Sequence, residues 1–102
     1  MPLVIDTYND YFFYLQYRRR CVPATVKANQ LALQYFSLLY GNTDIKTLKP
    51  THMVRFHEWL HNRKRLQKNE RGEYDYLSRY SIYKIMVKLR AYIKWLESDN
   101  LL

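Results

Sequence analysis

The strongest constraint on this chain is an apolar stripe in its C-terminal third. Apolar side chains recur there at every third or fourth position for about four turns of helix. They are Ile82, Ile85, Met86, Leu89, Tyr92, Ile93 and Leu96. Ser78 precedes the stripe and is a typical N-cap residue, so the pattern predicts a helix that starts at Ser78 and buries one face.

The composition indicates that the partners of this helix are also helices. The chain has only 2 glycines and 3 prolines, too few for the many turns of a β-sandwich or β-barrel. Hydrophobic residues make up 48% of the sequence and aromatic residues 17%, which excludes a solvated disordered tail. The 102 residues are therefore expected to form one all-α domain, residues 1–102.

Two helices are predicted in the first half of the chain. The first covers residues 7–20, with Thr7 as its cap. Its apolar face is expected to hold Tyr8, Tyr11, Phe12 and Leu15. After Pro23 interrupts the chain, the second helix covers residues 25–40 and ends at Gly41. Its buried face is expected to hold Val26, Leu33, Phe36, Leu39 and Tyr40.

A third helix is predicted after a loop over residues 41–49, in which Ile45 and Leu48 are expected to pack on the core. Pro50 suits the first turn of this helix, because its missing N–H would be unpaired there in any case. The inward stripe consists of Met53, Phe56 and Leu60. Residues 62–76 lose the helical periodicity and predict a long polar connection to the fourth helix.

The charge balance indicates a polyanionic partner. The chain carries 17 Lys and Arg against 9 Asp and Glu, a formal net charge of +8. Both halves are basic, so the excess is not confined to a tail. Distributed positive charge on a folded domain is typical of nucleic-acid binding. The lone Cys21 and the lack of a signal peptide or membrane-spanning stretch favour a cytoplasmic location without membrane contact.

One catalytic motif is present in the letters of the sequence. His57, Glu58 and His61 match H-E-x-x-H, in which two histidines one helical turn apart bind zinc and the glutamate activates water. Charged residues flank the motif, and a third ligand would have to come from the polar connection. We therefore expect His57 and Trp59 to pack at the edge of the core, and we expect no metal, cofactor or catalytic residue.

Polar and basic side chains at two helix starts are the candidates for DNA contact. Helix N-termini present free N–H groups to phosphate, and hydroxyl, amide and basic side chains set the register on a duplex. The candidates are Thr25, Lys27, Asn29 and Gln30 in the second helix, and Ser78, Arg79, Tyr80, Ser81, Lys84 and Lys88 in the fourth. The alternative is that Thr25 and Ser78 only cap helices and that the lysines only face solvent.

Several segments together resemble one known family. They are residues 77–82, 89–96 and 100–102 around the fourth helix, residues 25–39, and residues 44–48 leading into Met53, Phe56 and Leu60. This pattern resembles the N-terminal core-binding domain of the tyrosine recombinases, or phage integrases. Two departures are the long connection over residues 62–76 and Lys49-Pro50, where that family more often has a Ser, Thr or Asp cap.

The resemblance implies a compact four-helix, SAM-like orthogonal bundle that forms half of a clamp around duplex DNA. The second and fourth helices would face the DNA, and Arg18, Arg19 and Arg20 would add nonspecific attraction to phosphate. Strand cleavage would belong to a C-terminal catalytic domain expected after Leu102, so this domain would not itself be an enzyme. Its expected partners are double-stranded DNA, that catalytic domain and other recombinase subunits, in the cytoplasm with the nucleoid.

Two alternatives from other functional classes remain. A helical protein-interaction module would bind a partner chain through exposed aromatic residues, with Tyr80, Tyr83 and Trp95 as candidates. A small zinc hydrolase would use His57, Glu58 and His61.

Overall fold

Four helices account for most of the molecule. The computed structural model describes residues 2–66 and 68–99, and within them the helices are α1 (Tyr8–Phe13), α2 (Pro23–Tyr40), α3 (Pro50–Leu60) and α4 (Arg79–Ser98). α2 packs along α4, while α1 contacts α2 and α3 contacts α4. The prediction of an all-α helical bundle is confirmed. Residues 100–102, which take part in the family resemblance, lie outside the described residues.

The first helix is less regular than its sequence predicts. A 3-10 turn (Ile5–Thr7) leads into α1, and a π-helical turn (Tyr14–Arg18) follows it. Tyr8, Tyr11 and Leu15 are buried as expected. The prediction that Thr7 caps the helix is wrong, because its hydroxyl instead donates to the Val4 carbonyl at 2.8 Å.

The second helix begins two residues earlier than predicted. Pro23 occupies its first turn, where the missing N–H costs no hydrogen bond, so Thr25 lies inside the helix and is not its cap. Val26, Leu33 and Phe36 are buried, but Leu39 is 37% exposed, which contradicts its predicted place in the core. α2 ends at Gly41, where a Cβ would lie 2.5 Å from the Ser37 carbonyl oxygen.

The third helix starts at Pro50, as predicted, with an unusual cap. The Lys49 backbone N–H donates to Nδ1 of His52 at 2.9 Å, so His52 has the role that a glutamate or glutamine three residues after the cap has in a capping box. Phe56 and Leu60 are fully buried, and Met53 is half-buried against the core. Ile45 and Leu48 pack against the core as expected.

The fourth helix follows its sequence pattern closely. The Ser81 N–H donates to the Ser78 hydroxyl at 3.1 Å, which confirms Ser78 as the cap. The apolar stripe is buried except for Ile93, which is half-buried. Trp95 is only 7% exposed and packs 5.2 Å from the Tyr11 ring, so its expected place among exposed aromatic residues is wrong.

Residues 63–66 and 68–77, called the arm below, fold back on themselves. The Arg65 N–H donates to the Asp75 carbonyl at 2.7 Å and the Leu77 N–H to the Arg63 carbonyl at 3.0 Å, in antiparallel fashion. At the tip, the Asn69 side chain accepts from the Glu73 N–H at 3.0 Å, and Gly72 adopts a φ of +77°. The predicted polar connection therefore has a defined fold, which local hydrogen bonds stabilise. Because such bonds do not require regularly spaced apolar residues, the sequence of this segment shows no apolar periodicity.

None of the helices within the described ranges combines the length and the apolar content that crossing a bilayer requires.

Candidate nucleic-acid interface

A groove of about 240 Å³ lies between α2, α4 and the arm. Its floor is mostly apolar and includes Leu31 and Tyr35 of α2. Its cationic side chains are Arg65 of the arm and Lys84 and Lys88 of α4. Among the described residues, no carboxylate lines the groove. Such a surface attracts anions, and its apolar area can pack against the rest of the molecule that carries the anionic group.

A short hydroxyl network fixes one end of this groove. The Arg65 guanidinium donates to the Ser81 hydroxyl at 2.8 Å, and the Ser78 hydroxyl lies 3.0 Å from that of Ser81. Lys84 is one turn beyond Tyr80, and its ammonium lies 5.0 Å from the centre of the Tyr80 ring. The start of α4 therefore presents hydroxyls and cations side by side, as phosphate contacts require.

Arg65 is the groove residue that sequence reasoning missed. It was one cation among several in residues 62–76, with nothing in its spacing to connect it to α4. The Leu66 N–H donates to the Tyr35 hydroxyl at 3.0 Å, and this bond holds the arm against α2. A usable signal was the turn-forming segment of residues 69–72, since a turn there pairs the two halves of the arm.

The predicted contacts in α2 do not all face the same way. Lys27 is exposed and lies one helical turn before Leu31 of the groove, so it extends the cationic surface. Gln30 is exposed outside the groove, and Thr25 is half-buried. Asn29 is only 4% exposed, and its amide donates to the Thr25 carbonyl at 2.8 Å. A side chain used in this way has no surface for DNA, so we remove Asn29 from the candidate contacts.

The predicted contacts in α4 divide between two flanks of the helix. Ser81, Lys84 and Lys88 line the groove. Arg79 lies on the other flank, where it lines a separate cleft between α3 and α4. Tyr80 lines neither concavity and is 68% exposed. α4 therefore carries cations on both sides of an exposed surface.

The histidines of the H-E-x-x-H motif line the cleft between α3 and α4. Both His57 and His61 are exposed, with ring centres 4.7 Å apart, so the expected packing of His57 at the core edge is wrong. Trp59 does pack there, stacked on Phe56 and covered by the Arg63 guanidinium at 4.6 Å. Within residues 2–66 and 68–99, no three His, Cys, Asp or Glu side chains come together as a metal site.

Positive charge concentrates on α4 and the arm. α4 carries five Lys and Arg and one acidic residue, Glu97, whereas α3 carries one basic and one acidic residue besides its histidines. Arg18, Arg19 and Arg20 are exposed between α1 and α2 and do not line the groove. α4 therefore has a formal net charge of +4, half of the +8 of the chain, and this charge is divided between its two flanks.

The tyrosines with perturbed acidity lie in the core and not at this surface. Burial raises the pKa of Tyr11 and of Tyr92 to about 12, and it raises the pKa of Tyr8 further. For Tyr92, a hydrogen bond with Thr7 partly offsets the effect of burial. A high phenol pKa disfavours the phenolate, so these side chains act as packing and hydrogen-bonding groups.

Comparison of the chain with protein-family models, with curated proteins and with solved structures finds no match. The resemblance to tyrosine recombinases therefore rests on the residues of this chain alone.

Proposed function

We propose that this chain is a DNA-binding domain that holds duplex DNA for site-specific recombination or integration, as the core-binding domain of a tyrosine recombinase does. One observation carries the proposal. Arg65, Lys84 and Lys88, from two separate elements, converge with the Ser81 hydroxyl on a groove that no carboxylate among the described residues lines.

Electrostatics favour a duplex as the polyanion. Double-stranded DNA carries one negative charge per about 1.7 Å of its axis, so a row of cations along a helix meets several phosphates at once. Lys84 and Lys88 are one turn apart, or about 6 Å along α4. A helix with its side chains is about 10–12 Å thick and enters a major groove about 12 Å wide. The exposed Tyr80 would then face base edges, while the lysines face one strand.

In this proposal the chain positions DNA and leaves strand cleavage to a separate catalytic domain. This division between holding and cleaving DNA suits the groove, because its cations, hydroxyls and apolar surface are groups that bind DNA. Binding of this kind is governed by phosphate contacts and so depends steeply on salt.

The test is fluorescence anisotropy of a labelled 30-base-pair duplex, titrated with the protein between 50 and 200 mM salt. For about four to six neutralised phosphates, log affinity should fall with log salt at a slope of about −4 to −5. In Lys84→Ala/Lys88→Ala, the slope should flatten by about two units and affinity should fall for every duplex sequence. The matched control is Lys46→Ala/Lys49→Ala, which removes the same charge outside the groove.

Two results would overturn the proposal. One is the absence of duplex binding by the wild-type protein at 50 mM salt. The other is an equal loss of affinity in the groove variant and its control, since the positive charge would then act without a defined site.

The protein-interaction alternative keeps some support from exposed aromatic residues. Tyr80 and Tyr83 are 68% and 61% exposed, whereas Trp95 is buried. A partner bound through the two rings predicts an affinity that changes little with salt and falls in Tyr80→Ala/Tyr83→Ala. The duplex titration separates the two functions, because only DNA binding predicts an affinity for the duplex that falls steeply with salt.

A further inference from the structure

The cleft between α3 and α4 collects hydrogen-bond donors on the flank of α4 opposite the groove. Its volume is about 370 Å³. His57 lies in α3, His61 directly follows it, and α4 contributes Arg79, Tyr83 and Arg90. These five side chains are all exposed. Ile82 and Met86, which are buried, form the apolar base of the cleft.

The chemistry of this lining favours an anion over a metal ion. Two guanidiniums carry fixed positive charge and have no acceptor atoms. Each imidazole can donate one hydrogen bond when neutral and two when charged, and the phenol can donate one. The lining, as far as the structure describes it, holds no carboxylate. Guanidiniums beside the His57 and His61 pair would repel Zn²⁺, so the spacing that resembles a zinc motif stands in surroundings unsuited to a cation.

We propose that this cleft binds a phosphoryl group, with Arg79 and Arg90 supplying charge and His57 and His61 donating hydrogen bonds. Guanidiniums match the geometry of phosphate oxygens and can bind them in pairs. The non-bridging oxygens of a phosphate group can each accept more than one hydrogen bond, and the cleft provides several donors.

The source that we assign to the phosphoryl group is the DNA backbone, and in this respect the inference rests on the proposed function. Lys84 and Lys88 lie on one flank of α4, and Arg79 and Arg90 lie on the other. When a helix lies in a major groove, its two flanks face the phosphates of opposite strands. The groove would then hold one strand of the duplex, and the cleft would hold the other.

The first experiment tests the cleft without DNA. Inorganic phosphate is titrated into the ¹⁵N-labelled protein, with sodium chloride at matched ionic strength as the reference. We expect saturable shifts in the resonances of His57, His61 and the Arg79 and Arg90 side chains with phosphate, and no such shifts with chloride. The shifts should be lost in Arg79→Gln/Arg90→Gln. This variant should fold normally, since both arginines are exposed.

The second experiment tests the source of the phosphoryl group. The anisotropy titration is repeated with Arg79→Gln/Arg90→Gln and with a control of equal charge change, Lys46→Gln/Arg55→Gln, whose side chains are exposed, outside α4 and outside both concavities. We expect the salt slope to flatten by about two units in the cleft variant and to stay near the wild-type slope in the control.

The outcomes separate this inference from the function on which it rests. If the cleft variant and its control weaken duplex binding equally, the assignment of the cleft to DNA is overturned and the groove remains the DNA site. Saturable phosphate binding without any duplex binding would support the cleft as a site for a free phosphoryl ligand and overturn the proposed function. Phosphate shifts no larger than those with chloride, or zinc bound stoichiometrically through His57 and His61, would overturn the cleft itself.

Discussion

A buried hydroxyl pair joins the two ends of the described chain, and its contribution to stability can be predicted. The hydroxyl of Tyr92, in the middle of α4, is hydrogen-bonded to that of Thr7, in the 3-10 turn before α1. Tyr92 is fully buried, and its hydroxyl also lies 3.4 Å from the Val4 carbonyl, a weak contact. The Thr7 hydroxyl has a second and better partner, because it donates to the Val4 carbonyl at 2.8 Å.

This asymmetry predicts unequal costs for the two single substitutions. Tyr92→Phe leaves Thr7 bonded to Val4 and should lower the free energy of unfolding by about 1 kcal/mol. Thr7→Val leaves the Tyr92 hydroxyl buried with only its weak contact, so it should cost about 1–3 kcal/mol. In the double variant no buried hydroxyl is left without a partner, so its cost should be about 1 kcal/mol less than the sum of the single costs.

The assay is urea unfolding followed by circular dichroism, with the midpoint compared at unchanged slope. Tyr80→Phe is the control, since its exposed hydroxyl should change stability by less than about 0.5 kcal/mol. The reasoning would be refuted if the costs of the two single substitutions add up to that of the double variant to within about 0.3 kcal/mol, because the hydroxyls would then not depend on each other. It would also be refuted if Thr7→Val were no less stable than Tyr92→Phe.

Three further predictions concern the core, the arm and the response to pH. Phe56→Ala, which removes a fully buried ring packed edge-on to Phe36 at 5.1 Å, should cost about 3–5 kcal/mol in urea unfolding; a loss below about 1 kcal/mol would contradict this packing. Gly72→Ala should strain the φ of +77° at the tip of the arm and speed hydrogen exchange at the Arg65 and Asn69 amides, while the melting temperature stays nearly constant; unchanged exchange would count against the turn. The free energy of unfolding should be unaffected by tyrosine ionisation below about pH 10 and should fall as the pH rises toward 12. The fall should be up to about 1.4 kcal/mol per pH unit for each of Tyr8, Tyr11 and Tyr92, because their folded-state pKa values lie above the unfolded value and the folded state keeps the protons. An equal melting temperature at pH 9 and pH 11 would contradict this prediction.

Local chemistry made α3 and α4 predictable from sequence. Pro50 and Ser78 mark helix starts through properties of a single residue, a missing N–H in one case and a hydroxyl acceptor in the other. The apolar stripe of α4 is periodic over its whole length, so it defines the buried face whatever packs on it. The all-α class followed from these signals together with the shortage of glycine and proline.

The candidate site was predictable only in part. Lys84 and Lys88 were found because cations one turn apart on an exposed helix face need no tertiary information. The participation of Arg65 and the separation of Arg79 from the groove were not predictable, since both depend on which element packs beside each flank of α4.

The sequence alone therefore determined the helical class, the starts of α3 and α4 and the positive charge of the chain. Tertiary structure decided that Asn29 is buried, that Leu39 is exposed, that Thr7 bonds to Tyr92, and that the arm completes a groove. The physical reason is one of range. Caps and periodicity act within a few residues, whereas the burial of a residue at the edge of a helical face depends on partners that are distant along the chain.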